Sequence, residues 1–507
     1  MKMQKKRGFL AAASAVLTAL TLSFGSAASA APSTPANPPA ASDVTITKLT
    51  QPTVEGDHAS GKPQNPLPGG TSAIEGVTFD YYLVPGTAEG EANDIGTNVG
   101  QAWAATQTVA TLAGGLPATE TGSFTSTNSS GVTTKNLPRG LYVVRESVVP
   151  AGVTPAPDFT LAVPLTDPDD LNAWLDHIYV YPKNSLIAGS KTVVDGEGAT
   201  PNFTVGGKVT WTIKTDIPRV ANDAPGATDR YKATDAFEIH DTLIDANLSA
   251  VASDITVTGM TVDDDYTVTP DTSVTGETTW KIVFTADGRD KLAAAVNADA
   301  SAQVEVKLVT TVESVGETIN QAVIYPDQKS ITENKPLDVP GATIKYGNYQ
   351  LNKKSTDTQL ANLSGAEFKV YLSEADAKAG TNAVTTKENA TGVWTTTADG
   401  TVTVGGLRYT NWADGETATG AKVQEYWLVE TKALDGHQLL AQPIKFVVDE
   451  NSAAQTAQTI VNAKTENGGF ELPLTGGTGT AMLTFGGVLL LSAVLVVARR
   501  RRVAEVA

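Results

Sequence analysis

The sequence predicts an all-β protein built as three tandem Ig-like β-sandwich domains. Runs that alternate apolar and polar residues recur along the chain, and turn-forming residues interrupt them at short intervals. No long 3.6-residue apolar period occurs before the C-terminal tail. The 507 residues give room for roughly three domains of ~150 residues each. There is no cysteine, which excludes disulfides, Cys-based zinc sites and thiol nucleophiles.

In chain order, Lys2, Lys5, Lys6 and Arg7 precede an apolar run from Phe9 to Phe24 and then Ala28-Ser-Ala30. That is the layout of a secretory signal peptide over residues 1–30. Residues 31–42 form a Pro-rich N-terminus. The first domain, 43–184, holds strand-like runs at Asp43–Leu49, Val77–Val84, Leu141–Val149, Leu161–Leu165 and Ile178–Tyr181, with a short helix predicted over Gln101–Leu112. The middle domain, 185–342, alternates at Lys208–Ile213, Trp280–Phe284 and Ala302–Val309, and Lys291–Val296 reads as a short helix. Val209, Trp211 and Ile213 share parity, the mark of a half-buried strand. The third domain, 343–465, has strands at Tyr349–Lys353, Phe368–Leu372, Thr401–Val404, Tyr426–Thr431 and Ile444–Val448. A linker, 466–480, contains Leu472-Pro-Leu-Thr-Gly476. Residues 481–498 are apolar enough to span a bilayer as a helix, and the basic tail, 499–507, would hold that span with its end in the cytoplasm.

The net charge of −18 becomes −25 once residues 1–30 and 476–507 are set aside, because those ends carry eight basic residues and one acidic residue. So acidic a body repels nucleic acid and anionic membranes.

Two motifs carry a family resemblance. Leu472, Pro473, Leu474, Thr475 and Gly476, followed by an apolar span and four arginines, resemble the tripartite LPxTG sorting signal of Gram-positive surface proteins. Pro473 disfavours regular pairing and leaves an extended segment for an enzyme to grip. The stretch from Trp174 to Asn184 resembles the pilin motif of sortase-assembled fimbriae, W-x-x-x-V-x-V-Y-P-K, through Trp174, Ile178 (in place of the first Val), Val180, Tyr181, Pro182 and Lys183. Alternation puts Tyr179, Tyr181 and Lys183 on one face, and Pro182 is expected to end regular pairing and free the strand end. Leu141–Gly152 and Tyr426–Gly436 resemble each other and the E-box strand of the CnaB domains that build pilin shafts. Glu430 sits in the closer match, while Glu146 lacks the following Thr.

Resemblance to the major shaft pilins of actinobacteria, Actinomyces type 2 fimbriae among them, covers nearly the whole chain. It implies a structural subunit of a cell-surface pilus, in which a sortase joins Thr475 of one copy to Lys183 of the next. It also implies intramolecular bonds between a Lys and an Asn side chain, promoted by a neighbouring acid. Burial must keep the lysine neutral, and strand geometry must hold nitrogen against carbonyl carbon. The family pattern points to Lys191, Asp241 and Asn320 in the middle domain. In the third domain it points to Glu430 and Asn462, with Lys353 preferred over Lys354 because it shares parity with Tyr349 and Leu351. Lys48, Glu146 and Asn184 stand in comparable order in the first domain, where a bond is left open.

The implied partners are pilin-specific and housekeeping sortases, identical subunits head to tail, a tip adhesin and cell-wall peptidoglycan. The implied location is the wall-anchored surface of a Gram-positive bacterium. No cofactor or metal is expected: Asp167–Asp170 and Asp263–Asp265 read as acidic turns without calcium-loop spacing. Four histidines (His58, His177, His240, His437) and no catalytic elbow or phosphate loop argue against an enzyme. The alternative is a monomeric wall-anchored adhesin for host matrix or glycans. That reading accounts for the ends and the β domains but leaves Lys183 without a role.

Overall fold

The computed structural model describes residues 37–52, 60–195, 202–222, 227–452 and 458–465. The described chain is mostly β, as predicted, and its buried apolar side chains gather in cores that follow one another along the sequence. The signal peptide, the sorting signal and the apolar span lie outside the described residues. Among those described, no helix is long and apolar enough to cross a membrane.

In the first domain, Ala41–Thr47 runs antiparallel to Val132–Pro138 and parallel to His177–Val180. Thr78–Leu83, Gly140–Val148 and Phe159–Val163 form the opposing sheet. Val44, Ile46, Phe79, Tyr142, Val144 and Ile178 fill the space between them. Where one helix was expected there are two, Asn98–Ala104 and Val109–Leu112. Thr108 separates them because its hydroxyl accepts from the Thr111 N–H and starts the second helix afresh.

In the middle domain, Gly189–Val194, Lys208–Asp216 and Gln303–Val312 form one sheet. Tyr266–Asp271, Glu277–Phe284, Glu238–Ile244, Gly316–Tyr325 and the start of Leu337–Ser355 form the other. Trp211, Ile213, Val306 and Leu308 face Ile239, Ile282, Phe284 and Ile324 in one core. The expected short helix extends over Ala286–Ala298, capped by Thr285 and buried through Leu292, Ala293 and Val296.

Leu337–Ser355 is a single 19-residue strand, and it passes through position 342/343, where the sequence divides the middle from the third domain. Its first half pairs with Gly316–Tyr325 and its second half with Thr401–Arg408 and Gln458–Asn462. Pro340 and Gly341 look like punctuation in the sequence. A β-bulge between Asn320 and Ala322 accommodates both without ending the strand. The third core then forms from Leu351, Phe368, Val404, Tyr426, Leu428, Phe446 and Ile460.

At this junction the Arg408 guanidinium of the third domain lies 3.4 Å from the Asp195 carboxylate at the end of the Gly189–Val194 strand, and both side chains are almost fully buried. Asp195 and Asp414 each accept the other's backbone N–H, at 2.7 and 3.0 Å. Phe203 packs under the guanidinium.

Candidate functional site: buried lysine clusters and the acceptor strand

Each domain buries one lysine paired with a carboxylate, and a buried asparagine lies in the same domain; strand parity explains why. Val44, Ile46 and Lys48 alternate inward, as do Lys191 with Val193 and Lys353 with Leu351. The asparagines invert the usual pattern. Ile319 is 56% exposed while Asn320 is buried, and Val461 is 49% exposed while Asn462 is buried. Placing an amide inside and an aliphatic chain outside costs stability unless the amide has a task there.

The first-domain cluster is the most closely assembled. The Lys48 ammonium hydrogen-bonds to both the Glu146 carboxylate and the Asn184 side-chain oxygen. The Asn184 amide donates to the other Glu146 oxygen at 2.7 Å. Phe79 lies 5.8 Å below the amine. Burial pulls the Lys48 amine down to about 8, against the opposing pull of Glu146. The sequence offered little support for this trio; Glu146 nonetheless contacts both partners.

In the middle domain, Lys191 pairs with Asp241, and Trp211 packs 5.4 Å from the amine. Lys191 also donates to the Gln321 carbonyl at 3.3 Å. That carbonyl lies at the bulge opposite Pro340, which has no N–H to offer it. Burial lowers the Lys191 pKa more than Asp241 raises it. The Asn320 amide, one residue before Gln321, is buried, and neither of its polar atoms has a hydrogen-bond partner. Lys191 and Asn320 lie on opposite sheets of the sandwich.

In the third domain, Lys353 is fully buried and Lys354 is exposed, as parity predicts. The Lys353 amine lies 3.7 Å from Glu430 and donates to the Ile460 and Lys354 carbonyls at 3.2 and 3.3 Å. Burial brings it down to about 8. Asn462 donates to Glu430 at 2.8 Å, and the Leu440 N–H donates to the same carboxylate oxygen at 2.9 Å. The strands carrying Lys353 and Asn462 are parallel neighbours, with Ser355 opposite Asn462. Phe79, Gln321 and Leu440 were not singled out from the sequence. The inward parity of Trp211 was visible there; its place beside Lys191 depends on the register between strands.

The candidate acceptor motif lies within the described residues. Ile178 is fully buried beside Val44, while Trp174, Val180, Tyr181 and Lys183 are half-buried. The Tyr181 hydroxyl accepts from the Gln64 N–H at 2.9 Å. Pro182 does not leave a free strand end. Its carbonyl accepts from the Leu49 N–H at 3.2 Å, and pairing resumes with Lys183 opposite Leu49 and Asn184 opposite Thr50. Lys183 is therefore the residue directly before the buried Asn184 of the first cluster. Leu472, Pro473, Leu474, Thr475 and Gly476 lie outside the described residues.

The acidic turns hold lysines. Lys62 bridges Asp167 and Asp169 at 2.6 Å each, and Lys291 lies 2.7 Å from Asp265. Among the described residues no group of three or more His, Asp or Glu side chains is arranged to hold a metal.

Comparison with known proteins identifies the family. Residues 39–185 match the N-terminal D1 domain of Gram-positive pilin subunits, 347–464 a prealbumin-like fold domain, and 464–505 the LPXTG cell wall anchor motif. The chain is 32% identical over 405 residues to the type 1 fimbrial subunit of Actinomyces viscosus, covering 72% of this chain and 74% of that one. It is 28% identical over 461 residues to the type 2 fimbrial subunit of Actinomyces naeslundii, covering 82% and 81%. The full-length major pilin SpaD of Corynebacterium diphtheriae shares the fold, with a TM-score of 0.60 at 22% identity over 84% of this chain and 98% of that one. The chain belongs to the sortase-assembled major pilins, the wall-anchored fimbrial subunits of Gram-positive bacteria.

Proposed function

We propose that the Thr475 carbonyl of one subunit is joined to the Lys183 amine of the next by a pilin-specific sortase. A housekeeping sortase then passes the finished polymer to peptidoglycan, and a tip adhesin caps the far end. The Lys183 strand is the observation that carries this reading: a half-buried lysine, framed by Tyr181 and Pro182, begins a short strand paired to the first domain. Cell-wall extracts should give a detergent-resistant ladder of bands in the native strain and a single species in Lys183→Ala. A ladder persisting in that variant would overturn the assignment.

The same reading gives each buried cluster one reaction. The lysine loses its ammonium proton to solvent, its neutral nitrogen attacks the asparagine side-chain carbonyl carbon, and that nitrogen then passes a second proton to the acid. The C–N bond to the amide nitrogen breaks, and that nitrogen leaves as ammonia after the acid returns a proton to it. Lys48–Asn184, Lys191–Asn320 and Lys353–Asn462 are the three bonds, with Glu146, Asp241 and Glu430 as the acids. A bond at Asn184 would fix the acceptor strand to the first core directly behind Lys183. The intact mature chain should weigh less than its sequence by one ammonia per bond, and an undiminished mass would remove this part of the proposal.

A further inference from the structure

We infer that His437 is a positioning residue for the third-domain cross-link, joining the supports of all three reacting groups at one point; this rests on the bond-forming reading above. Its Nδ1 lies 2.8 Å from the Asp435 carbonyl, which can only accept, so Nδ1 carries the hydrogen and, in the neutral ring, Nε2 is the acceptor. Nε2 lies 2.6 Å from the Ser355 hydroxyl, which therefore donates to it. Ser355 stands opposite Asn462 in the ladder, two residues beyond Lys353 on the same strand. The hydroxyl also accepts the Asp357 N–H at 2.8 Å, so its orientation is set from both sides.

The loop carrying His437 is tied to the asparagine strand as well. His437 bridges to Lys464, the Gln438 N–H donates to the Ala463 carbonyl at 2.9 Å, and the Thr465 N–H donates to Gly436 at 2.8 Å. Three residues further on, the Leu440 N–H donates to Glu430 at 2.9 Å, on the oxygen that also receives the Asn462 amide. One imidazole thus fixes the lysine strand through Ser355, while its loop holds the asparagine strand and orients the acid. Bond formation between side chains depends steeply on such placement, since displacement by an ångström costs about a hundredfold in rate.

The test is cell-free synthesis of the mature chain, quenched in denaturant at successive times, with mass spectrometry of the Lys353–Asn462 and Lys191–Asn320 peptides. His437→Ala and Ser355→Ala should slow the third-domain bond by at least about tenfold and leave the middle-domain bond at its native rate. His437→Gln, which can still accept from Ser355, should restore most of the rate. Native-rate bonding in His437→Ala would overturn the inference. So would equal slowing of both bonds, or a Gln variant as slow as the Ala variant. A native chain lacking the Lys353–Asn462 bond altogether would instead remove the reading on which the inference rests.

Discussion

At the Lys353 amine the decisive quantity is the free energy of taking an ammonium out of water. Burial brings it down to about 8, and Lys48 likewise, so a useful fraction of each is already neutral near physiological pH. The direction fixes the pH dependence of cross-linking. Below about 8 the neutral fraction rises about tenfold per pH unit, and above it the rise levels off. Quenched time courses should therefore show bonding at Lys48 and Lys353 accelerating from pH 6 to 8 and flattening beyond; a rate independent of pH would contradict this. Glu430→Ala should abolish the third-domain bond, leaving Lys353 as a free amine detectable by mass. Losing a cross-link that closes so long a loop should cost about 4–5 kcal/mol on the chain-entropy view, readable in thermal unfolding. Much of this was legible from alternation alone: the choice of Lys353 over Lys354 needed only parity. Asn320 and Asn462 were not legible that way, because an inward polar residue contradicts the apolar pattern and only the resemblance singled them out. The closeness of Lys48, Glu146 and Asn184 was hidden for another reason. Their contact depends on how two sheets stack, and periodicity along one strand carries no information about that.

Among the elements, the strand Leu337–Ser355 departs most from the sequence reading. The sequence reading placed only Tyr349–Lys353 as a strand here and set a domain boundary at 342/343. Pairing on both flanks carries the strand through that boundary, and the bulge at Gln321 takes up the proline. The result couples the middle and third domains by continuous backbone, reinforced by the buried Asp195–Arg408 pair. Burial raises the Asp195 pKa, and the Asp414 N–H and Arg408 offset this only in part. Asp195→Ala would leave the Arg408 charge buried and unpaired, which typically costs about 3–5 kcal/mol. The expected outcome is lower thermal stability and a wider distribution of interdomain angles in small-angle scattering, with the Lys191–Asn320 bond still formed. A variant with native scattering and native melting would show that the strand alone holds the junction.

Across the whole molecule, the absence of cysteine and the exported, fibre-forming role raise one mechanical question: what keeps three sandwiches from unfolding under tension. In this account the force enters at Lys183, meets the first cluster through the adjacent Asn184, and crosses the middle and third domains toward Thr475. Under the proposed cross-links, each sandwich would have its early and late strands tied by one side-chain bond, and the shared strand would carry load across the last junction. The most direct test is sequencing of the branched peptide that links subunits in purified fibres. The fibres should contain one junction, from the Thr475 carbonyl to the Lys183 side-chain nitrogen. Fibres whose subunits are joined through any other lysine, or that contain no such branch, would contradict it.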